Sequence, residues 1–174
     1  MNLNDRCQPI ELILSDVDGV LTDGRITLDN RGIETKRFNN QDGMGVRLWQ
    51  RAGHHFGLIT LRSSHVVQLR AEELSIEIVR QGVGKKLDVF HEILDELGLT
   101  AEQACYIGDD LPDLPVVRAA GLGVAVADAC GELREAADYV TAKPGGWGAI
   151  RETIELILKA QRCWENVIRT YLES

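Results

Sequence analysis

Residues 10–24 read IELILSDVDGVLTDG: an apolar run from Ile10 to Leu14 stops at two carboxylates, Asp16 and Asp18, with Gly19 directly behind them. A short apolar run closed by polar and glycine residues is the pattern of a buried strand with one end at the surface. Residues two apart on an extended strand point to the same side, so Asp16 and Asp18 can face one spot beyond the strand's carboxyl end. Open α/β sheets bind their ligands in that place.

Working outward, further short apolar runs occur at 54–59 (HHFGLI), 76–79 (IEIV), 104–107 (CYI), 122–126 (LGVAV) and 138–140 (DYV). Helical patterns at 43–52, 64–74, 85–97 and 111–119 lie between most of them. This alternation predicts an α/β fold, a doubly wound, mainly parallel, Rossmann-like sheet. The stretch 25–38, RITLDNRGIETKRF, interrupts the rhythm with two strand patterns around an Asn-Arg-Gly turn, and it predicts a β-hairpin projecting from the sheet. After the breaker KPGGWG, residues Ile150, Ile154, Ile157, Leu158, Val167, Ile168 and Leu172 predict one long amphipathic helix over 148–172.

A chain of 174 residues, 44% of them hydrophobic, reads as one domain over 1–174 that buries roughly 70% of its unfolded surface. The formal charge of −8 argues against nucleic-acid binding through bulk electrostatics, so an anionic ligand must meet a local group of basic residues. The four cysteines form no CxxC pair and the opening MNLNDRCQPI has no apolar signal core, so a reduced, cytoplasmic protein is expected. No apolar run approaches the roughly 18 residues of a membrane span.

Other strand ends carry polar groups as well. Thr60 ends GLIT, Lys86 follows the third run, and GDDLPD (108–113) follows CYI. Carboxylates, a hydroxyl and a lysine in one crevice suit a hard, oxygen-liganded ion such as Mg²⁺ together with a phosphate. Asp16 and Asp109 are then the direct side-chain ligands, and Asp16 is also the nucleophile that forms an aspartyl phosphate. Asp18 is placed to protonate the leaving alkoxide and later to take a proton from water, with its backbone carbonyl available to the metal. Thr60 and Lys86 would hold the nonreacting phosphate oxygens.

One other reading fails on particular residues, and particular residues argue against two more. GVGKK (82–86) is no phosphate loop of a nucleotide hydrolase, because Val79 stands at the first glycine's place and Lys86 at the hydroxyl's. A phospho-receiver domain lacks a second acid two residues after its acceptor, and Asp18 is such an acid. A non-catalytic assembly module has no need of Asp16, Asp18, Lys86 and Asp109 together. His54 and His55 precede a strand and are expected at its edge, while Trp49 and Trp164 fit apolar helix faces.

DVDGVLTDG, Thr60 with Arg62, Lys86 and GDDLPD resemble the four motifs of the haloacid dehalogenase superfamily of phosphatases. FNNQDGMGVRLW (38–49), VAVADA (124–129), ADYVT (137–141) and GGWGAIRE (145–152) resemble the subgroup that dephosphorylates 3-deoxy-D-manno-octulosonate (KDO) 8-phosphate. This resemblance covers about residues 10 to 160. It implies metal ligands Asp16, Asp18 and Asp109, and substrate contacts Asn39, Asn40, Gln41, Asp42, Gly43, Arg47, Arg62, Arg70 and Lys86, with Asp18. It also implies a Mg²⁺-dependent cytoplasmic homotetramer serving lipopolysaccharide synthesis, with no cap domain and with neighbouring subunits helping to close the site.

Spacing agrees about the cap. The 41 residues between Asp18 and Thr60 are used by the hairpin and a helix, and the 21 between Lys86 and Gly108 by a helix and a strand. Two positions depart from the family pattern: Leu61 stands where a glycine is usual, and Trp147 where an arginine is common. The alternative substrate is another acidic sugar phosphate, such as a nine-carbon keto-sugar acid 9-phosphate. Convergence of Arg47, Arg62 and Arg70 above the phosphate would favour a substrate carboxylate.

Overall fold

In the computed structural model, which describes residues 2–172, the run that reads IELIL becomes the strand β1 (Leu12–Ser15), completely buried along its length. It is central in a six-stranded parallel sheet of order β5-β4-β1-β6-β7-β8. The other strands are β4 (His55–Thr60), β5 (Ile78–Gln81), β6 (Ala104–Gly108), β7 (Leu122–Ala125) and β8 (Tyr139–Val140). Leu12 pairs with His55 on one side and Ala104 on the other, so β1, β4 and β6 start level, and β4 and β6 run two and one residues past Ser15. Helices cover both faces, which explains why the central strands read as continuous apolar runs without alternation.

Those helices are α1 (Leu3–Cys7), α2 (Asn40–Arg51), α3 (His65–Glu73), α4 (Lys86–Leu97), α5 (Leu114–Ala119), α6 (Gly131–Ala136), α7 (Ala149–Ala160) and α8 (Trp164–Leu172). The short helices α1 and α6 had no clear periodic signal. Between β1 and β4 the described chain holds the turn Val17–Leu21, the hairpin and α2, and between Lys86 and β6 chiefly α4. The hairpin is small: β2 (Thr27–Leu28) pairs antiparallel with β3 (Glu34–Thr35), leaving Ile26, Leu28 and Ile33 more than half exposed. Among the described residues no helix is long and apolar enough to cross a membrane.

The single helix expected over 148–172 is two helices. Arg162 adopts φ 59°, its N–H reaches the Lys159 carbonyl at 3.1 Å, and the Cys163 N–H reaches Leu158 at 2.9 Å. These are the two bonds of a Schellman helix ending. Glycine usually occupies the left-handed position; an arginine there gave the sequence no stop signal. The Gln161 amide reinforces the break by donating to the Ile10 carbonyl at 2.7 Å.

Candidate active site

Asp16 is the first residue beyond β1, and its N–H donates to the Ile107 carbonyl of β6 at 3.0 Å. That bond sets the carboxylate between the two strand ends. The chain then enters an irregular wide turn, Val17–Leu21, closed by the Thr22 N–H on the Val17 carbonyl at 3.0 Å. Asp18 and Gly19 break its helical conformation, Gly19 with φ 98°. A Cβ on Gly19 would sit 2.0 Å from Asp109 Oδ2, so glycine here is required both by conformation and by the close approach of an acid.

Lys86 begins α4 and is 5% exposed. Its ammonium lies 2.7 Å from Asp16 Oδ1 and 2.6 Å from Asp113 Oδ1. Asp113, 1% exposed, also accepts from the Tyr106 hydroxyl at 2.7 Å and from the Asp109 and Asp110 N–H groups at 3.0 and 3.3 Å. Its oxygens are thereby committed to holding Lys86 and shaping the loop that carries Asp109. Thr60 ends β4, 3% exposed, in the same crevice.

The electrostatics follow from burial. Burial pushes the Asp109 carboxyl up to about 8, helped by Asp16 and Asp113 beside it. Asp16 rises to about 6 through burial, only partly offset by Lys86. Burial opposes the charge on Lys86, but Asp16 and Asp113 outweigh it and hold the ammonium above its usual value. Oxygens of Asp16, Asp109 and Asp113 all lie within 4.8 Å of one another. Three acids around one ammonium leave excess negative charge on hard oxygen donors, the setting in which a divalent cation such as Mg²⁺ fits. Asp16 and Asp109 are the pair free to hold it.

Asp18 stands apart from that cluster, its carboxylate facing Lys36 and Arg62. The other resemblance-based contacts divide. Asn39 caps α2, its Oδ1 accepting from the Gln41 N–H at 2.7 Å, and Gln41 Oε1 faces Lys143 Nζ at 3.5 Å. Asn40 lines a cleft of about 440 Å³ with Lys36, Phe38, Val66, Leu69, Arg70 and Glu73. Arg70 bonds Glu73 at 2.8 Å yet keeps a buried Nε with no hydrogen-bond partner; Arg62 Nη1 is likewise buried without one. Gly43 lets Arg70 come close, since a Cβ there would meet Nη2 at 2.4 Å.

Asp42 is a correction. It is fully buried, and its two oxygens accept from Gly148 N at 3.0 Å and Arg151 N at 2.9 Å, tying α2 to the start of α7. No surface remains for a ligand. Nor do the three arginines meet at one point: Arg62 pairs with Glu34 at 2.8 Å, whereas Arg47 and Arg70 both bind Glu73. Lys36, Glu34, Tyr106 and Asp113 were not singled out. Only Asp113 had a signal, its place four residues after Asp109 in GDDLPD.

Comparison with known proteins matches residues 63–151 to the haloacid dehalogenase-like hydrolases. The chain is 44% identical over 156 residues to the KDO 8-phosphate phosphatase of Escherichia coli (strain K12), covering 90% of this chain and 83% of that protein. It superposes with a TM-score of 0.94 on the Moraxella catarrhalis KDO 8-phosphate phosphatase solved with magnesium, phosphate and KDO, at 43% identity and 97% of both chains. A cobalt-bound deoxy-D-mannose-octulosonate 8-phosphate phosphatase from Haemophilus influenzae matches at TM-score 0.88 and 37% identity, over 90% of this chain and 92% of that one. With this likeness running through both the motifs and the fold that positions them, the chain belongs to the KDO 8-phosphate phosphatase family of the haloacid dehalogenase-like hydrolases.

Proposed function

We propose that this chain hydrolyses KDO 8-phosphate to KDO and inorganic phosphate through an aspartyl-phosphate intermediate. The observation that carries the mechanism is the convergence of Asp16, Asp109, Thr60 and the Asp113-anchored Lys86 at adjoining strand ends. Asp16 attacks phosphorus; the bond to the sugar oxygen breaks, and Asp18 delivers a proton to that oxygen. Water then attacks the phosphoryl group, gives a proton to Asp18, and Asp16 is released with inorganic phosphate. Lys86 and Thr60 bind phosphate oxygens as charge shifts among them. Mg²⁺ held by Asp16, Asp109 and the Asp18 carbonyl would neutralise the phosphate and draw electrons from phosphorus.

The buried Arg70 Nε without a hydrogen-bond partner beside the cleft supports an acidic sugar, because a substrate carboxylate would satisfy such a donor. Asn40 and Gln41 stand at the same edge. The decisive measurement is kcat/KM for KDO 8-phosphate, a nine-carbon keto-sugar acid 9-phosphate and glucose 6-phosphate. KDO 8-phosphate is expected to lead the neutral hexose ester by at least about tenfold, one charge-assisted hydrogen bond's worth. Equal values for all three remove the carboxylate argument, and preference for the nine-carbon ester moves the assignment to it.

One domain working as a cytoplasmic homotetramer completes the proposal. Exposed Ile26, Leu28 and Ile33 on the hairpin support a neighbouring subunit there, over a site that has no lid of its own. Four unpaired cysteines support a reducing compartment. Sedimentation at assay concentration is expected to give a tetramer; a fully active monomer overturns that part.

A further inference from the structure

Lys36 follows the second hairpin strand, belongs to no motif and has no part in the steps above. Its side chain is only 1% exposed, and a lysine is seldom that buried unless it is paired. The ammonium donates to Asp18 Oδ1 and lies 3.4 Å from Glu34 Oε1. Glu34 accepts from Arg62 Nη2 at 2.8 Å and from the Ser64 hydroxyl. Arg62 Nη1 returns to within 3.9 Å of Asp18 Oδ2. Asp18, Lys36, Glu34 and Arg62 thus close a ring that joins the turn after β1, the hairpin and the loop after β4.

Asp18 leaves the turn where the backbone is not helical, at φ −78° and ψ 110°, so the ring constrains its rotamer from outside. We propose that Lys36, backed by Glu34, is a positioning residue that aims the Asp18 carboxyl at the leaving-group oxygen. The hairpin thereby sets the acid–base half of the reaction. This rests on the phosphatase reading but not on the identity of the sugar. As the bond from phosphorus to the leaving oxygen breaks, its electron pair stays on oxygen and the Asp18 proton joins it. An alkoxide needs that proton to depart; a nitrophenolate does not.

Because kcat/KM reports only steps up to leaving-group departure, three esters decide the matter: KDO 8-phosphate, glucose 6-phosphate and p-nitrophenyl phosphate. Lys36→Met is expected to lower kcat/KM about 10- to 100-fold on both alkyl esters and less than about threefold on the aryl ester. Lys36→Arg, which keeps the charge and the ring, recovers most of the loss. A loss confined to KDO 8-phosphate makes Lys36 a contact for the sugar carboxylate in the adjoining cleft and overturns the proposal. Equal loss on all three esters makes it structural, and no loss on the alkyl esters makes it idle; either overturns it too. Should the wild type act on glucose 6-phosphate but not on KDO 8-phosphate, the substrate assignment fails while the alkyl-against-aryl comparison still tests Lys36.

Discussion

Asp16 and Asp113 offer oxygens to the same ammonium, 2.7 and 2.6 Å from Lys86 Nζ, but their surroundings give them different tasks. Asp113 is saturated by Lys86, Tyr106 and two backbone N–H groups, whereas Asp16 carries fewer hydrogen bonds and is the acid proposed to attack phosphorus. Asp16→Asn is expected to leave the fold intact and reduce turnover on the order of 10⁴-fold or more, because an amide is no nucleophile. Circular dichroism alongside a phosphate-release assay checks both halves; substantial retained activity refutes the mechanism. Asp113→Ala should instead unfold more easily, since it strips a buried ammonium of one partner and orphans the Asp109 N–H. A loss of about 3 kcal/mol in urea denaturation is expected for breaking such a pair. Unchanged stability would show that Lys86 re-pairs with Asp16 alone.

At the scale of elements, the segment 145–148 and α7 pack on the turn that carries Asp18. A Cβ on Gly145 would fall 1.7 Å from the Gly19 carbonyl oxygen, so Gly145→Ala must displace that turn and is expected to cost at least about tenfold in kcat/KM. An activity assay on protein with an unchanged melting temperature tests this directly. Asp42→Ala should behave in the opposite way, removing two bonds to α7 and about 2–4 kcal/mol of stability. Its kcat/KM per folded molecule should stay within about threefold, and a larger loss at unchanged stability would return Asp42 to the substrate contacts. Its family motif gave no hint of this use. The partners Gly148 and Arg151 are more than a hundred residues away, and a buried docking carboxylate reads like any other acid in a one-dimensional string.

For the whole molecule, the acidic crevice links stability, pH and metal. Asp16 and Asp109 have folded values raised from 3.8 to about 6 and about 8. The folded protein therefore holds protons that the unfolded chain has released. Their stabilising contribution is complete below pH 3.8 and is lost as pH rises to about 8. His54, lowered by burial, acts in the other direction, but only as pH falls below its usual 6.5. Between pH 6.5 and 8, metal-free protein should lose melting temperature, and Mg²⁺ should restore more of it at pH 8 than at 6.5, where it must displace a proton. Thermal melts with chelator and with Mg²⁺ at both pH values check the sign. A larger metal effect at pH 6.5 would place the ion elsewhere.

The alternation of buried runs and amphipathic helices, the order of the motifs and the strand-end position of Asp16, Thr60 and Asp109 were legible in the sequence, because strand and helix periods and turn residues are local properties. The break at Arg162 was not, because the left-handed residue is no glycine and its stop is enforced by Gln161 reaching Ile10 across the fold. The same limit separates the three arginines, which helical spacing treats alike but which packing assigns to Glu34 or to Glu73. Asp18 shows the division within one residue. Its spacing from Asp16 was enough to mark it as an acid beside the proposed nucleophile, whereas its surroundings are Lys36, Glu34 and Arg62, brought to it by a hairpin and a loop from the next strand. Residue type and spacing carry chemistry along the chain, but the orientation of a side chain is decided by neighbours that only the folded structure supplies.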